Sequence, residues 1–267
     1  MLEEWALYLG FGCLAGLLSG LMGIGGGIVI VPFLVWHFGR LGFPANAVMI
    51  MAVATSLATI VVTSISATLA HHRRGAVDWA LVRQLAPGIL AGSVLGSVIA
   101  DLLPARAFKL FFSGFLLHAS LRMLRQTPKI PIHTEAGDSG HFGVAGAAIG
   151  ALSSILGIGG GTLSVPFLVK RGYPVRTAVA VSSACGFPIA VAGSLTYILL
   201  GWGNAQLPDW NLGYIHLPAF IGIVLTSVPL APVGAALAHH LPTRNLRVLL
   251  AMVVALAGGR LLVQSFS

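Results

Sequence analysis

Apolar residues run along this chain in long uninterrupted blocks, without the alternating or one-faced patterns of a soluble domain. Stretches free of Asp, Glu, Lys and Arg extend over Trp5–Gly39, Leu41–His72, Ser139–Val169, Thr177–Pro208 and Trp210–Thr243. Each exceeds the roughly 20 residues that a helix needs to cross a bilayer core. The pattern predicts eight hydrophobic segments, near residues 5–38, 43–70, 79–100 and 105–124, then 142–169, 174–202, 214–238 and 243–264. The predicted fold class is an all-α polytopic membrane protein.

The second four segments repeat the first four. Gly16–Val35 reads GLLSGLMGIGGGIVIVPFLV and Gly150–Val169 reads GALSSILGIGGGTLSVPFLV, identical at thirteen of 20 positions. Phe43-Pro44 matches Tyr173-Pro174, and Ala54-Thr55-Ser56 falls on Ala184-Cys185-Gly186. Gly75, Gly96, Leu103-Pro104 and Arg106 align with Gly213, Gly234, Leu241-Pro242 and Arg244. Shared hydrophobic composition would not reproduce proline and arginine positions in order, so the chain is read as a duplicated unit. The first membrane repeat is residues 1–124, the polar linker 125–141, and the second membrane repeat 142–267.

Charge decides between two topologies. Eight alternating crossings would put seven Lys and Arg residues on one side and eight on the other, without the cytoplasmic excess that membrane proteins show. If the first segment of each repeat bends at Gly23–Gly27 and Gly157–Gly161 and returns to its own side, each repeat makes three net crossings. One side then collects Arg73, Arg74, Arg83, Arg122, Arg125, Lys129, Lys170, Arg171, Arg176, Arg244 and Arg247, and the other keeps Arg40, Arg106, Lys109 and Arg260. Eleven against four restores the bias and predicts inverted repeats, each a Gly-broken first segment plus three transmembrane helices, with both termini outside.

The glycine blocks carry the candidate chemistry. Consecutive glycines cost a continuous helix roughly 1 kcal/mol each relative to Ala. A break in lipid frees backbone groups that are tolerated only inside protein or along a cavity. Where the helix restarts, its first N–H groups and the positive end of its dipole face outward, a ready cradle for an anion. Matching breaks in two repeats point to a transport site near the midplane. Glycines such as Gly92, Gly96, Gly114 and Gly222 are read instead as helix-packing positions.

Only 22 of 267 residues are charged, 8% against the roughly 25% of soluble domains, which excludes a soluble enzyme. The net charge of +8 is assigned to cytoplasmic loops, not to nucleic acid, since no basic stretch alternates with aromatics. All seven acids (Glu3, Glu4, Asp78, Asp101, Glu135, Asp138, Asp209) fall at segment ends or in loops. Cation-coupled transporters keep a carboxylate at membrane depth, so the lining favours anions. Cys13 and Cys185 lie in apolar runs and imply no disulfide framework. The acidic start, Met1-Leu-Glu-Glu-Trp, is unlike a secretory signal, so the first segment is expected to persist. A dinucleotide site is rejected because Ile28 stands where G-x-G-x-x-G needs glycine. No cofactor or metal is read, and His71-His72 lacks helical ligand spacing.

The substrate-binding candidates are Gly25, Gly26 and Gly27, then Gly159, Gly160 and Gly161, with hydroxyls or a thiol from Thr162, Ser164, Thr55, Ser56, Ser182, Ser183 and Cys185. Thr162 and Ser164 rank first by proximity to the break, although membrane hydroxyls often bond back to their own helix. His118, inside a predicted span, is the candidate for proton coupling. Trp202, Trp210 and Tyr214 resemble an interfacial aromatic belt.

The paired segments Gly20–Leu34 and Ser154–Leu168, each GIGGG followed by V-P-F-L, resemble the sulfite exporter TauE/SafE family, as does Gly75-Ala-Val-Asp-Trp79 after a basic loop. The resemblance implies an inner-membrane permease for sulfite, a sulfonate or another sulfur-containing or organic anion. Cys185-Gly186 departs from the Thr-Ser of the first repeat, so symmetric substrate contacts are not expected. The alternatives left open are an anion channel and a non-transport membrane assembly subunit. The expected partners are the small anion and the lipid bilayer; anion identity, direction, coupling ion and oligomeric state are not legible.

Overall fold

The fold was analysed in a computed structural model, which describes residues 2–22, 26–125, 142–237 and 243–266. The linker expected at 125–141 therefore lies, after Arg125, outside the described residues, and so does Gly25. Five helices come from the first repeat: α1 (Leu2–Met22), α2 (Gly27–Arg40), α3 (Val48–Arg73), α4 (Trp79–Leu102) and α5 (Ala105–Arg125). Five come from the second: α6 (Phe142–Leu156), α7 (Gly161–Lys170), α8 (Val175–Leu200), α9 (Leu217–Leu237) and α10 (Thr243–Gln264). Between α8 and α9 lies a small antiparallel hairpin, β1 (Asn211–Leu212) with β2 (Ile215–His216), which an all-helical reading does not include.

Helix boundaries follow local chemistry. Asp78 caps α4 by accepting from the N–H groups of Ala80 and Leu81, at 3.0 and 3.2 Å. α2 and α7 instead start at glycine caps, Gly26 (φ 68°) and Gly160 (φ 76°), in the left-handed conformation that glycine adopts without a Cβ penalty. Each predicted first segment is thus two helices. α2 folds back along α1: the Phe33 and Phe11 rings stack 3.5 Å apart, and the His37 ring meets Tyr8 at 5.0 Å. α7 folds back along α6 in the same way, with Phe167 against Phe142.

α3 and α8 form the centre. Every residue from Val48 to Ile60 is buried, on all faces of α3, as expected for a helix apolar all round. The two helices cross antiparallel. A Cβ at Gly186 would lie 3.5 Å from Ser64, one at Gly193 would lie 2.7 Å from Leu57, and Arg176 acts electrostatically on His71. α5 and α10 are also antiparallel: the Ser120 hydroxyl donates to the Ala251 carbonyl at 2.8 Å, and the Arg106 guanidinium sits over the Phe266 ring.

The remaining large interfaces exchange helices between repeats. α4 packs in parallel on α6, with Gly88, Gly92 and Gly96 against the Gly143, Ala147 and Ala151 backbone, and α1 packs in parallel on α9 through Gly12, Gly16, Gly222 and Gly234. Small residues let backbones approach closely where lipid offers no hydrophobic drive. Gly114 has open space around its Cα, so its packing role as read from sequence has no neighbour to serve. Outward faces carry Leu95, Leu102, Leu225 and Leu256, all well exposed. Five helices, α3, α4, α5, α8 and α9, are long and apolar enough to cross a membrane. The chain is a polytopic, mainly helical membrane protein.

A side chain at Gly92 would meet the Ala147 backbone, which cannot yield as a side-chain tip can. Gly92→Leu should therefore destabilise the detergent-solubilised protein by at least the roughly 1–3 kcal/mol of overpacking. Gly114→Ala should hold or slightly raise the thermal unfolding midpoint.

Candidate functional site

The two glycine breaks meet at the centre of the bundle. A Cβ on Gly27 would run into the Gly157 carbonyl and lie 3.0 Å from the Ile158 Cα. Ser56, on α3, donates to that same Gly157 carbonyl at 2.8 Å, strapping the second break to the first repeat. Gly157 (φ 65°) is pressed between Val31 and Val53, so its position admits no side chain.

At the start of α7 the polar groups outnumber their partners. The Gly160 carbonyl accepts from Leu163 and Ser164, at 2.9 and 2.7 Å. The N–H groups of Gly161 and Thr162 meet no acceptor among the described residues. Gly160 supplies no capping side chain. A Cβ there would lie 3.2 Å from Ser164 Oγ and 3.9 Å from Ser153 Oγ, so two hydroxyls flank the terminus. The hydroxyls of Ser153, Thr162, Ser164 and Ser182 are buried and without a partner among the described residues. Pro166, lacking N–H, also leaves the Thr162 carbonyl unbonded within the helix. Such a group of unsatisfied donors calls for an acceptor.

A narrow cavity leads from this region toward one end of the bundle. Gly159, Ser183 and Gly186 line its deep part, Ser19, Thr63 and Ser64 its walls, and His71 and Arg74 its mouth. Arg176, at the start of α8, faces the same mouth. The open space is ≈ 30 Å³, room for about two waters at ~15 Å³ each. Positive charge therefore stands at the mouth, with a constriction behind it.

The structure does not bring all the sequence candidates together. Gly26, Gly27, Gly159, Gly160, Gly161, Thr162, Ser164 and Ser183 gather around the breaks and the cavity, although the Ser183 hydroxyl bonds back to the Val179 carbonyl at 2.9 Å; Ser182 is buried beside it on α8 and does not line the cavity. Thr55 faces away toward the opposite end and accepts from the His216 N–H at 3.0 Å. Cys185 is buried in the core and does not line the cavity, whereas Gly186 beside it does. His118 is exposed on α5, apart from the cavity.

Sequence reading passed over a buried cluster at the end opposite the mouth: His37, His216, Tyr8, Phe38 and Phe43. Both His37 ring nitrogens lack a partner among the described residues. His37 lies near the end of the predicted segment 5–38 and His216 near the start of 214–238, and nothing in their local sequence marks them as meeting. Burial, and secondarily His37, hold the His216 imidazole down to about 4. Its Nδ1 accepts from the Ala219 N–H at 3.4 Å, and an imidazolium would lose that bond beside a helix N-terminus.

Comparison with known proteins gives the class. The sequence model of the sulfite exporter TauE/SafE family matches residues 8–261. A protein of Haemophilus influenzae described as a "probable membrane transporter protein" is 37% identical over 236 residues, 88% of this chain and 89% of that one. Relatives with the same description in Methanocaldococcus jannaschii (25% over 250 residues, 92% of this chain and 91% of that one) and Bacillus subtilis (28% over 271 residues, 94% of each) are similar end to end. No solved structure matches. The chain belongs to the sulfite exporter TauE/SafE family, and it is a membrane transporter, not an enzyme.

The His216 environment has a measurable consequence. Its folded value, about 4, lies below the ordinary 6.5, so between these values the unfolded chain binds a proton that the folded chain refuses. Stability should be unaffected above pH 6.5 and fall progressively toward pH 4. His216→Asn should flatten that part of the profile of unfolding midpoint against pH.

Proposed function

We propose that the chain is a secondary transporter that moves a small sulfur-containing or organic anion, such as sulfite or a sulfonate, across the cell's inner membrane by alternating access. The observation that carries this reading is the start of α7. Free N–H groups of Gly161 and Thr162, with the Ser164 and Ser153 hydroxyls, stand unpartnered near the deep end of a cavity whose mouth holds His71, Arg74 and Arg176. Donors without acceptors at a helix N-terminus fit a negative ligand, and no carboxylate among the described residues lines the cavity to fit a cation.

The two repeats, residues 1–124 and 142–267, are read as inverted copies. In support, equivalent helices that meet each other, α3 with α8 and α5 with α10, run antiparallel, while α1 on α9 and α4 on α6 exchange partners between repeats. Repeats of the same orientation would make equivalent helices parallel. α1 and α2 form a hairpin that enters and leaves at one end. The end with Arg73, Arg74, Arg83, Arg122 and Arg176 is then cytoplasmic, and the cavity opens inward. Rocking of the repeats would close that mouth and open the other side.

Counterflow in proteoliposomes preloaded with sulfite, thiosulfate, sulfoacetate or sulfate, with a cation control, tests the reading. Saturable exchange of one anion is expected, a property that a channel cannot show. Gly160→Val should abolish exchange, since Gly160 holds φ 76° and its Cβ would lie 2.7 Å from Ile189. Ser164→Ala and Thr162→Val, which leave the backbone alone, should weaken apparent affinity about 10- to 100-fold if each hydroxyl bonds the anion at roughly 1.5–3 kcal/mol. Unchanged affinity in both, with a folded protein, would remove the cradle.

A further inference from the structure

The open cavity has a shut counterpart. In the duplicated sequence, Ser19 corresponds to Ser153, Ser64 to Ser194, Gly186 to Ser56 and Ala231 to Ser93. The first residue of each pair, together with its neighbours, lines the cavity toward the basic mouth. Of the second members, Ser56 and Ser153 lie at the central breaks, and Ser93 and Ser194 lie toward the other end of the bundle, where α4, α6 and α8 converge. A Cβ at Gly193 would lie 3.1 Å from Ser154 Oγ and 3.5 Å from Ser97 Oγ, so hydroxyls from α6 and α4 meet beside α8. Ser93 sits one turn before Ser97 on the same face of α4, and Ser194 directly follows Gly193.

These hydroxyls are abnormal for a dry core. Ser93, Ser97, Ser153 and Ser154 are 0% exposed and Ser194 is 6% exposed; Ser97 meets the Tyr197 hydroxyl, and the other four hydroxyls lack a partner among the described residues. Serines between membrane helices that serve only packing bond back to a carbonyl of their own helix, as Thr63 does to Thr59 and Thr196 to Ala192. Buried hydroxyls that do not bond back make a polar wall where α4, α6 and α8 converge.

One residue explains why this side is closed. Ala67, on the cavity side, corresponds to Tyr197. The Tyr197 ring is fully buried where the alanine leaves space, and its hydroxyl donates to the Ser154 carbonyl at 3.1 Å. Beyond it the chain at Gly213 and Tyr214 packs on Ile198 and Tyr197. On the outer surface a pocket of ≈ 240 Å³ holds Asn46, Asp101, Asn204, Gln206 and Tyr214, with Asp101 engaged by the Tyr214 hydroxyl. Asp101 is one turn beyond Ser97 on α4, so this pocket ends close to the serine cluster.

We propose that Ser93, Ser97, Ser153, Ser154 and Ser194 line the non-cytoplasmic half of the substrate pathway, that Tyr197 is its gate, and that the pocket around Asn204 is its vestibule. This inference rests on the inverted-repeat transporter reading above. When the basic mouth closes, Tyr197 leaves the Ser154 carbonyl and the five hydroxyls become the wetted wall that Ser19 and Ser64 help form now.

Thiol accessibility tests this without presuming the anion. Ser97→Cys and Ser194→Cys are each treated in spheroplasts with a membrane-impermeant methanethiosulfonate, with Asn204→Cys as the exposed reference. The parent chain, with its half-buried Cys13 and buried Cys185, gives the background. An alternate state populated at roughly 0.1–10% should make labelling of Cys at 97 or 194 about 10- to 1,000-fold slower than at 204. Labelling should accelerate in Tyr197→Ala and, with the ring kept but the hydroxyl bond removed, in Tyr197→Phe, and it should block counterflow. No labelling of either cysteine from that face, in the parent and Tyr197→Phe backgrounds, while counterflow persists, would overturn the pathway. Labelling as expected in a protein that exchanges no anion would keep the pathway and overturn the anion reading.

Discussion

A backbone break inside a membrane protein has to be placed where its freed N–H and C=O groups are not left to lipid, and this requirement organises the whole molecule. Two breaks exist, one per repeat, and they are brought against each other: Gly27 abuts the Gly157 carbonyl, and Ser56 bonds that carbonyl across repeats. The surrounding helices are the shield. α3 and α8, buried on nearly all faces, cross beside the breaks and keep lipid away. The short helix α7 can then begin with N–H donors that meet no acceptor among the described residues, which no lipid-facing helix could sustain.

The shield works because backbones come unusually close. α4 enters α6 through Gly88, Gly92 and Gly96, and α1 enters α9 through Gly12 and Gly16. Each interface joins elements of different repeats, so neither repeat can bury its own first helix alone. Long-range hydrogen bonds also join the repeats: Thr226 on α9 donates to the Leu9 carbonyl of α1, and Ser120 on α5 to the Ala251 carbonyl of α10. A helix that is shared between repeats couples any shift of one repeat to the packing of the other, the condition for a bundle with two discrete arrangements.

Duplication did not produce equal halves. Equivalent positions hold His37 and Arg171, Tyr8 and Phe142, Ala67 and Tyr197. Arg171 lies over the Phe142 and Phe167 rings at the basic end, keeping a permanent charge there, while His37 sits beside Tyr8 and Phe33 in a sealed aromatic cluster. Ala67 lines the cavity, whereas the Tyr197 ring fills the space at its own position and donates to the Ser154 carbonyl.

The sequence by itself determined the membrane class, the duplication and the glycine breaks, because each is written in local composition or in order along the chain. Thr162 and Ser164 were legible as site candidates for the same reason: they adjoin the break. Only the tertiary structure decided which hydroxyls matter elsewhere. Ser56 and Thr55 are neighbours in sequence, yet one straps the Gly157 carbonyl and the other holds the His216 amide. His118, the proton-coupling candidate, is exposed on α5 apart from the cavity, and His37, which the sequence did not single out, is buried. Periodicity cannot separate these cases in a helix apolar on every face. Which face meets protein, lipid or cavity is fixed by the antiparallel crossing of α3 with α8 and the exchange of α1 and α6 between repeats, contacts between residues more than a hundred positions apart or across the repeat boundary.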